Sequence, residues 1–392
     1  MTQPSITYRW PVTRSLLPKP AFAWDFKLGV LTPQRGAGTF VCTRATQKWV
    51  MGTNGLLQLI AVDAPPFNVS AIDGMMRIRP EEAATQLLVA ATSRDLTQAQ
   101  WVKVNGTAAK DQVGADGVVN AASLFTATSP NATCLQTVTA AATNRVFSLR
   151  VRRITGTGVV TISGDNFSTS TDITALINNT TYTRVFLNPA SVLNPIVGIK
   201  LATSGDKVAV DFVNLVAATC LSSDLDSVVA TRNADVIVLN PFSMTLPCTI
   251  VVKGMMHEVD GTLDTNGRFM FTISDGTANE VIRFQRAASS QALSPVIIDG
   301  GVSQLAGVAR SVGPNTRVAC ACAIETNDVA GSINGQAVQT DSSVTLPTVN
   351  RIHLGSNNAG SASFWCAGIE SLMIWNTRLP NSMLPQLCEA SF

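Results

Sequence analysis

Charge is scarce in this chain. Lys, Arg, Asp and Glu make up 14% of its 392 residues, against the quarter or so usual in soluble proteins. That shortage excludes a coiled coil or helical bundle, whose solvent faces need far more Glu, Lys and Arg. The charges also nearly cancel: 28 Lys and Arg against 26 Asp and Glu leave +2, too little for a nucleic-acid footprint. No apolar run approaches the roughly 18 to 20 residues that span a bilayer as a helix. Met1-Thr2-Gln3-Pro4-Ser5 lacks a basic segment followed by an apolar one. The expectation is therefore synthesis in a cytoplasm, without Sec export or membrane insertion. Histidine and tyrosine occur twice each. His257 and His353 lie far apart, and of the eight scattered cysteines only Cys320 and Cys322 are neighbours, so the cysteines read as buried free thiols rather than zinc ligands.

What the chain does contain is 46% hydrophobic residues, with Thr, Ala, Val, Asn and Ser in place of charge. That balance suits many short strands whose outer faces carry hydroxyls and amides. It fits a protein buried against neighbours in an assembly, and equally a plain Thr-rich β protein. Arg outnumbers Lys 20 to 8, and a planar guanidinium suits packed interfaces because it bonds carboxylates and backbone oxygens bidentately. The length points to two or three domains.

The first ninety residues are punctuated by Pro and Gly and read as an extended arm with strands near 22–26, 40–43 and 56–61. From Val146 to Ile154 the pattern alternates: Phe147, Leu149 and Val151 face one way, Ser148, Arg150 and Arg152 the other. A turn at Gly156-Thr157-Gly158 returns the chain into 159–163. Strands at 181–187, 196–201 and 208–215 follow, with a turn at Thr203-Ser204-Gly205-Asp206. This spacing indicates a β-sandwich. A second set follows at 249–255, 268–276, 281–284, 317–324, 351–355 and 364–375, with a hairpin at Asn334-Gly335. A short helix from about Asn381 to Cys388 ends the chain, with Asn381 or Ser382 as its cap. The fold class expected is all-β, an arm followed by two antiparallel sandwiches of jelly-roll type.

No catalytic constellation emerges. A glycosidase of such a fold would place two carboxylates on one strand. Glu258, Asp260 and Glu280 come nearest, but Gly261 to Gly267 turns the first two into a loop, and no enzyme is expected. Asp264-x-Asn266-Gly267 has the outline of half a calcium loop, yet Arg268 stands where a third oxygen ligand belongs. No cofactor or metal site is therefore expected, with Ca2+ on scattered loop oxygens left open. For sugar binding, which needs aromatic faces beside amides, the candidates are Trp365 and Trp375 with Asn357, Asn358 and Asn376. Large aromatics in strand-like segments also fill cores. Trp10, Trp24, Trp49 and Trp101 read as anchors of the arm or fillers of interfaces.

Several stretches resemble known proteins. Thr39-Phe40-Val41-Cys42-Thr43-Arg44-Ala45-Thr46 with Asn54-Gly55-Leu56-Leu57-Gln58, then Gly74 to Glu82 and Thr85 to Leu88, is similar to the opening of a family of bacteriophage virion proteins. Between them Ala64-Pro65-Pro66-Phe67 stands where that family tends to have Pro-Arg-Phe, and Cys42, Ala45 and Pro66 depart from its usual pattern. Ser93 to Lys103 and Gly198 to Leu215 resemble the beginning and end of carbohydrate-binding-module-like jelly rolls. Asn334-Gly335, Arg351 to Gly355 and Gly368-Ile369 through Leu379 resemble a concanavalin A-like domain of the laminin-G type. The resemblance implies a docking arm over 1–90, a carbohydrate-binding-module-like jelly roll over 91–222 and a concanavalin A-like one over 223–392. It implies a tail-associated virion protein (fibre, tip or baseplate) that adheres to host-surface polysaccharide, with other virion proteins and two further copies as partners. A capsid decoration or head-fibre protein and a tailspike depolymerase are the alternatives.

Overall fold

A computed structural model describes residues 17–188, 191–218, 220–256, 267–288, 292–305 and 308–390. Among them the protein is almost wholly β, with a few 3-10 turns and one six-residue α-helix, Leu384–Glu389. No helix among the described residues is long and apolar enough to cross a membrane.

The first sandwich packs two five-stranded antiparallel sheets. One runs in the order Thr183–Leu187, Val146–Thr155, Lys207–Val216, Ala122–Ala127, Gly106–Gln112. The other runs Thr169–Asp172, Val160–Asp165, Ile196–Leu201, Ala132–Thr137, Val102–Val104. Phe147, Leu149 and Val151 point into the shared core with Ile162, Ile199 and Val210, as the alternation requires. The opposite face of that strand is not solvated: Ser148 and Arg150 are buried too, because the segment 222–226 lies across them and Asp224 takes Arg150 in an ion pair. The turn at Gly156 forms with φ +89°, and a Cβ there would run into the Asp206 carboxylate of the neighbouring turn.

The second sandwich is larger, with two eight-stranded sheets. The strands Cys248–Met255, Arg317–Glu325 and Ile369–Trp375 form the centre of one. Arg268–Ser274, Val281–Arg286 and Arg351–Leu354 form the centre of the other. The N-terminal segment is woven into both. Phe22–Asp25 pairs with Ile369–Trp375, Met76–Ile78 bonds the same strand, and Val41–Thr43 pairs with Val236–Leu239. Trp24, Phe26 and Phe40 share one core with Trp365, Phe271 and Ile374. The arm is thus structural material of this sandwich, held by ladder hydrogen bonds and core burial alike.

The terminal helix packs Leu384, Leu387 and Cys388 on the outer face of the first of these sheets. Neither Asn381 nor Ser382 caps it. A 3-10 turn, Asn381–Met383, runs directly into the helix, so Met383 takes the cap position with no side-chain bond. The Asn381 side chain instead accepts from Arg378 Nη2 at 2.7 Å.

Candidate functional site: the cleft between the sandwiches

The residues singled out for sugar binding do not converge. Trp365 is fully buried between the sheets of the second sandwich and donates Nε1–H to Met255 O at 3.0 Å. Trp375 is 2% exposed, packed under the C-terminal helix, and donates to Pro18 O at 2.8 Å. Neither ring offers a face to a ligand, because strand positions facing a core or a covering helix bury whatever aromatic they carry. Asn357 shapes its own loop by accepting from Ser361 N and Ala362 N, and Asn358 donates to Gly276 O. Asn376 is exposed just beyond the strand Ile369–Trp375, in the sheet that does not carry the Asn357 loop. Glu280 bridges two loops by accepting from Gly300 N and Thr348 N. Trp10, Glu258, Asp260 and the Asp264–Asn266 segment lie outside the described residues.

A different site forms where arm, first sandwich and second sandwich meet. It is a cleft of about 620 Å³. Trp49 and Asn68 reach it from the arm, Asn178, Tyr182 and Phe186 from the first sandwich, and Met256 and Asn315 from the second. Trp49 belongs to the strand Lys48–Met51, whose hairpin packs against the first sandwich, with its ring edge-on to Phe212 at 5.1 Å. Its indole Nε1 is buried with no acceptor among the described residues. Tyr182 is half-buried, donates its hydroxyl to Val113 O at 2.8 Å and carries the Arg152 guanidinium over its ring. Ile72 and Leu176 stand exposed on the rim.

The floor of the cleft is a buried ion-pair network that fixes its walls. Asp235 accepts from Arg44 at 2.8 Å, from Lys48 at 2.7 Å and from the Glu81 backbone N–H at 3.0 Å. Glu81 in turn meets Lys48, Arg79 and Arg232 and accepts from Ser223 N at 2.8 Å. Asp224 holds Arg150 of the first sandwich at 2.7 Å. On the other wall Arg77 and Arg317 share Glu370. Burial by itself would raise the Glu81 carboxyl, but Lys48, Arg232 and Arg79 outweigh it and hold it well below the ordinary value of 4.5. Asp224 is likewise held low: Arg150 and Arg184 overcome its burial.

This has a consequence for acid stability. A carboxylate with a depressed folded pKa takes up protons less readily than in the unfolded chain, so its stabilisation is present above the unfolded value and lost as pH falls toward the folded one. The difference in urea midpoint between wild type and Glu81→Gln is expected to be large at pH 7 and to shrink steadily below about 4.5. A difference independent of pH from 7 to about 3 would show that Glu81 is not held ionised by its cations.

No family model matches the chain, and no curated protein does. Solved structures show local likenesses. The CBM40 module of the Ruminococcus gnavus IT-sialidase aligns at 13% identity over 36% of this chain and 82% of its own, with a TM-score of 0.29. Domain 4 of AbnA, a GH43 extracellular arabinanase from Geobacillus stearothermophilus, in complex with arabinotriose, aligns at 14% over 40% of this chain and 73% of its own, TM-score 0.30. The SAP-like pentraxin of Limulus polyphemus aligns at 13% over 38% and 73%, TM-score 0.26. Carbohydrate-binding modules are thus among the neighbours, but identities and TM-scores this low bring no function with them.

Proposed function

We propose that this chain is a bacteriophage virion structural protein, tail-associated, which adheres to host-surface glycans through the cleft between its sandwiches. The observation that carries the adhesive part is the cleft itself. Ligand sites favour domain interfaces with apolar walls and a few placed polar groups, and here Tyr182, Phe186 and the edge of Trp49 stand among three asparagines. Aromatic faces cover the apolar face of a pyranose, and amides bond its hydroxyls. The walls are rigid because the ion-pair network joins all three segments, so little ordering accompanies binding.

Adhesion is favoured over hydrolysis by the state of the cleft's carboxylates. A glycosidase needs one carboxylic acid with a raised pKa to protonate the leaving oxygen. Glu81 and Asp224 line the cleft, and both are held ionised by their guanidinium and ammonium partners.

The virion assignment rests on the resemblance of the segments around Arg44, Arg77 and Leu87. In this reading the protein assembles as a homotrimer with other virion proteins, and weak single-site contacts gain avidity because several copies are fixed on one particle. Antibody against residues 223–392 is expected to label intact particles at the tail tip and to block adsorption. Label spread over the head would overturn the tail assignment and make the protein a capsid decoration.

A further inference from the structure

Glu82, Cys220 and Cys366 lie 138 and 146 positions apart in the chain, and no spacing in the sequence links them. The fold brings their ligand atoms within 4.8 Å of one another. Both cysteines are fully buried, beside Phe364 and Ala234. Cys220 Sγ sits 3.4 Å from Glu82 Oε1, and Arg268 Nη1 lies 3.1 Å from Cys366 Sγ. We propose that these three side chains form a binding site for a thiophilic divalent cation of the Zn2+ type, which ties the arm, the segment after the first sandwich and the second sandwich together.

Three features support the assignment. The first is size: with Zn–S near 2.3 Å and Zn–O near 2.0–2.2 Å, a tetrahedral site has an S···O edge of about 3.5 Å, and the Cys220–Glu82 separation is 3.4 Å. The second is donor chemistry. Two sulfurs and one carboxylate oxygen suit zinc and exclude Mg2+ and Ca2+, which take oxygen shells.

The third is charge. Two thiolates and the Glu82 carboxylate sum to −3, and Zn2+ with the Arg268 guanidinium sums to +3, so the loaded site is neutral. Arg268 thus offsets the surplus negative charge that three anionic ligands leave on a dication. The Arg268 N–H groups beside Cys366 would then act as outer-shell donors to a metal-bound thiolate, which is how such groups orient and tune ligands. Three protein ligands leave one position for water. None of the three ligands lines the cleft, so the site stands independently of it.

The test is metal content and Co2+ spectroscopy of the full-length chain, purified under reducing conditions, denuded with a chelator and dialysed. One equivalent of Zn2+ per chain is expected to rebind and to raise the Tm. Co2+ is expected to give thiolate-to-metal charge-transfer absorption. Cys366→Ala should abolish both signals. Glu82→Gln, which leaves the thiols in place should the cysteine variant fail to fold, should weaken zinc binding by on the order of tenfold or more. Cys134→Ala, in the core of the first sandwich, should retain full binding. Folded wild-type protein that binds no zinc and shows no charge-transfer band would overturn the proposal. So would metal lost equally in Cys134→Ala, or a Cys220–Cys366 disulfide persisting in the reduced preparation.

Discussion

Asp235→Ala is expected to destabilise the protein by about 3–5 kcal/mol, the range for breaking a buried ion pair by removing one partner. Asp235 is fully buried at the start of the strand Val236–Leu239. Its two oxygens take Arg44, Lys48 and the Glu81 amide, with Arg232 at 3.7 Å. Alanine leaves those cations without their carboxylate in a site where Arg44 and Lys48 are each 1% exposed. A cost of this size is a large fraction of the roughly 5–15 kcal/mol that holds a typical domain folded. Asp235→Asn keeps an acceptor oxygen and should lose less than alanine. Urea denaturation checks both. A loss under about 1 kcal/mol for alanine is the value found for exposed pairs, and it would mean that the network is solvated rather than buried.

Trp24→Ala should be about as severe, about 3–5 kcal/mol for a fully buried tryptophan. Trp24 sits in a strand paired with Ile369–Trp375, stacks on Phe22, meets Phe40 and Phe242 edge-on and bonds Gly38 O at 3.2 Å. The same geometry sets the fate of a truncated chain. Residues 91–392 alone would expose the core left open by Trp24, Phe26, Phe40 and Ile78, and are expected to be recovered mainly as aggregate. If Trp24→Ala unfolds at the wild-type midpoint, the N-terminal strands are a detachable arm and not part of the sandwich.

Much of the sheet structure was legible because half-buried strands alternate and their turns carry Gly and Asn. Ile196–Leu201 begins and ends where the pattern places it, and Arg268–Ser274 begins on the expected residue but stops short of Gly276, where Asp275 opens a turn by accepting from Thr277 N. The arm was harder to read. Its strands Val41–Thr43, Phe67–Val69 and Met76–Ile78 have three residues each, too few for a period to show; the last two pair with each other, but Val41–Thr43 and Met76–Ile78 join the sandwich through Val236–Leu239 and Ile369–Trp375, far along the chain. Yet the stretches that resemble virion proteins carry physical chemistry after all: Arg44, Arg77, Arg79 and Glu81 supply the buried ion pairs. Ser148 and Arg150 read as an outward polar face because nothing in their own strand announces the segment that covers them.

The site was less legible than the fold. Trp365 and Trp375 stood out by residue type, but which face of a strand is covered depends on another sheet or a helix, and both rings are core. Trp49 is more than a hundred residues from Tyr182 and Phe186, and only the packing of the hairpin that carries it on the first sandwich brings it to them. The three ligands of the proposed metal site are equally dispersed. Metal spacing rules work for ligands on one loop or hairpin, and here each ligand comes from a different part of the chain.

The most direct test of adhesion through the cleft is equilibrium binding of the full-length protein to a panel of bacterial surface oligosaccharides, wild type beside Tyr182→Ala and Leu28→Ala. Leu28 is exposed and outside the cleft. The prediction is measurable binding to at least one oligosaccharide, weakened about tenfold by Tyr182→Ala, the equivalent of about 1.4 kcal/mol of lost stacking, and unchanged by Leu28→Ala. Binding that ignores Tyr182, or no binding across the panel, would contradict it.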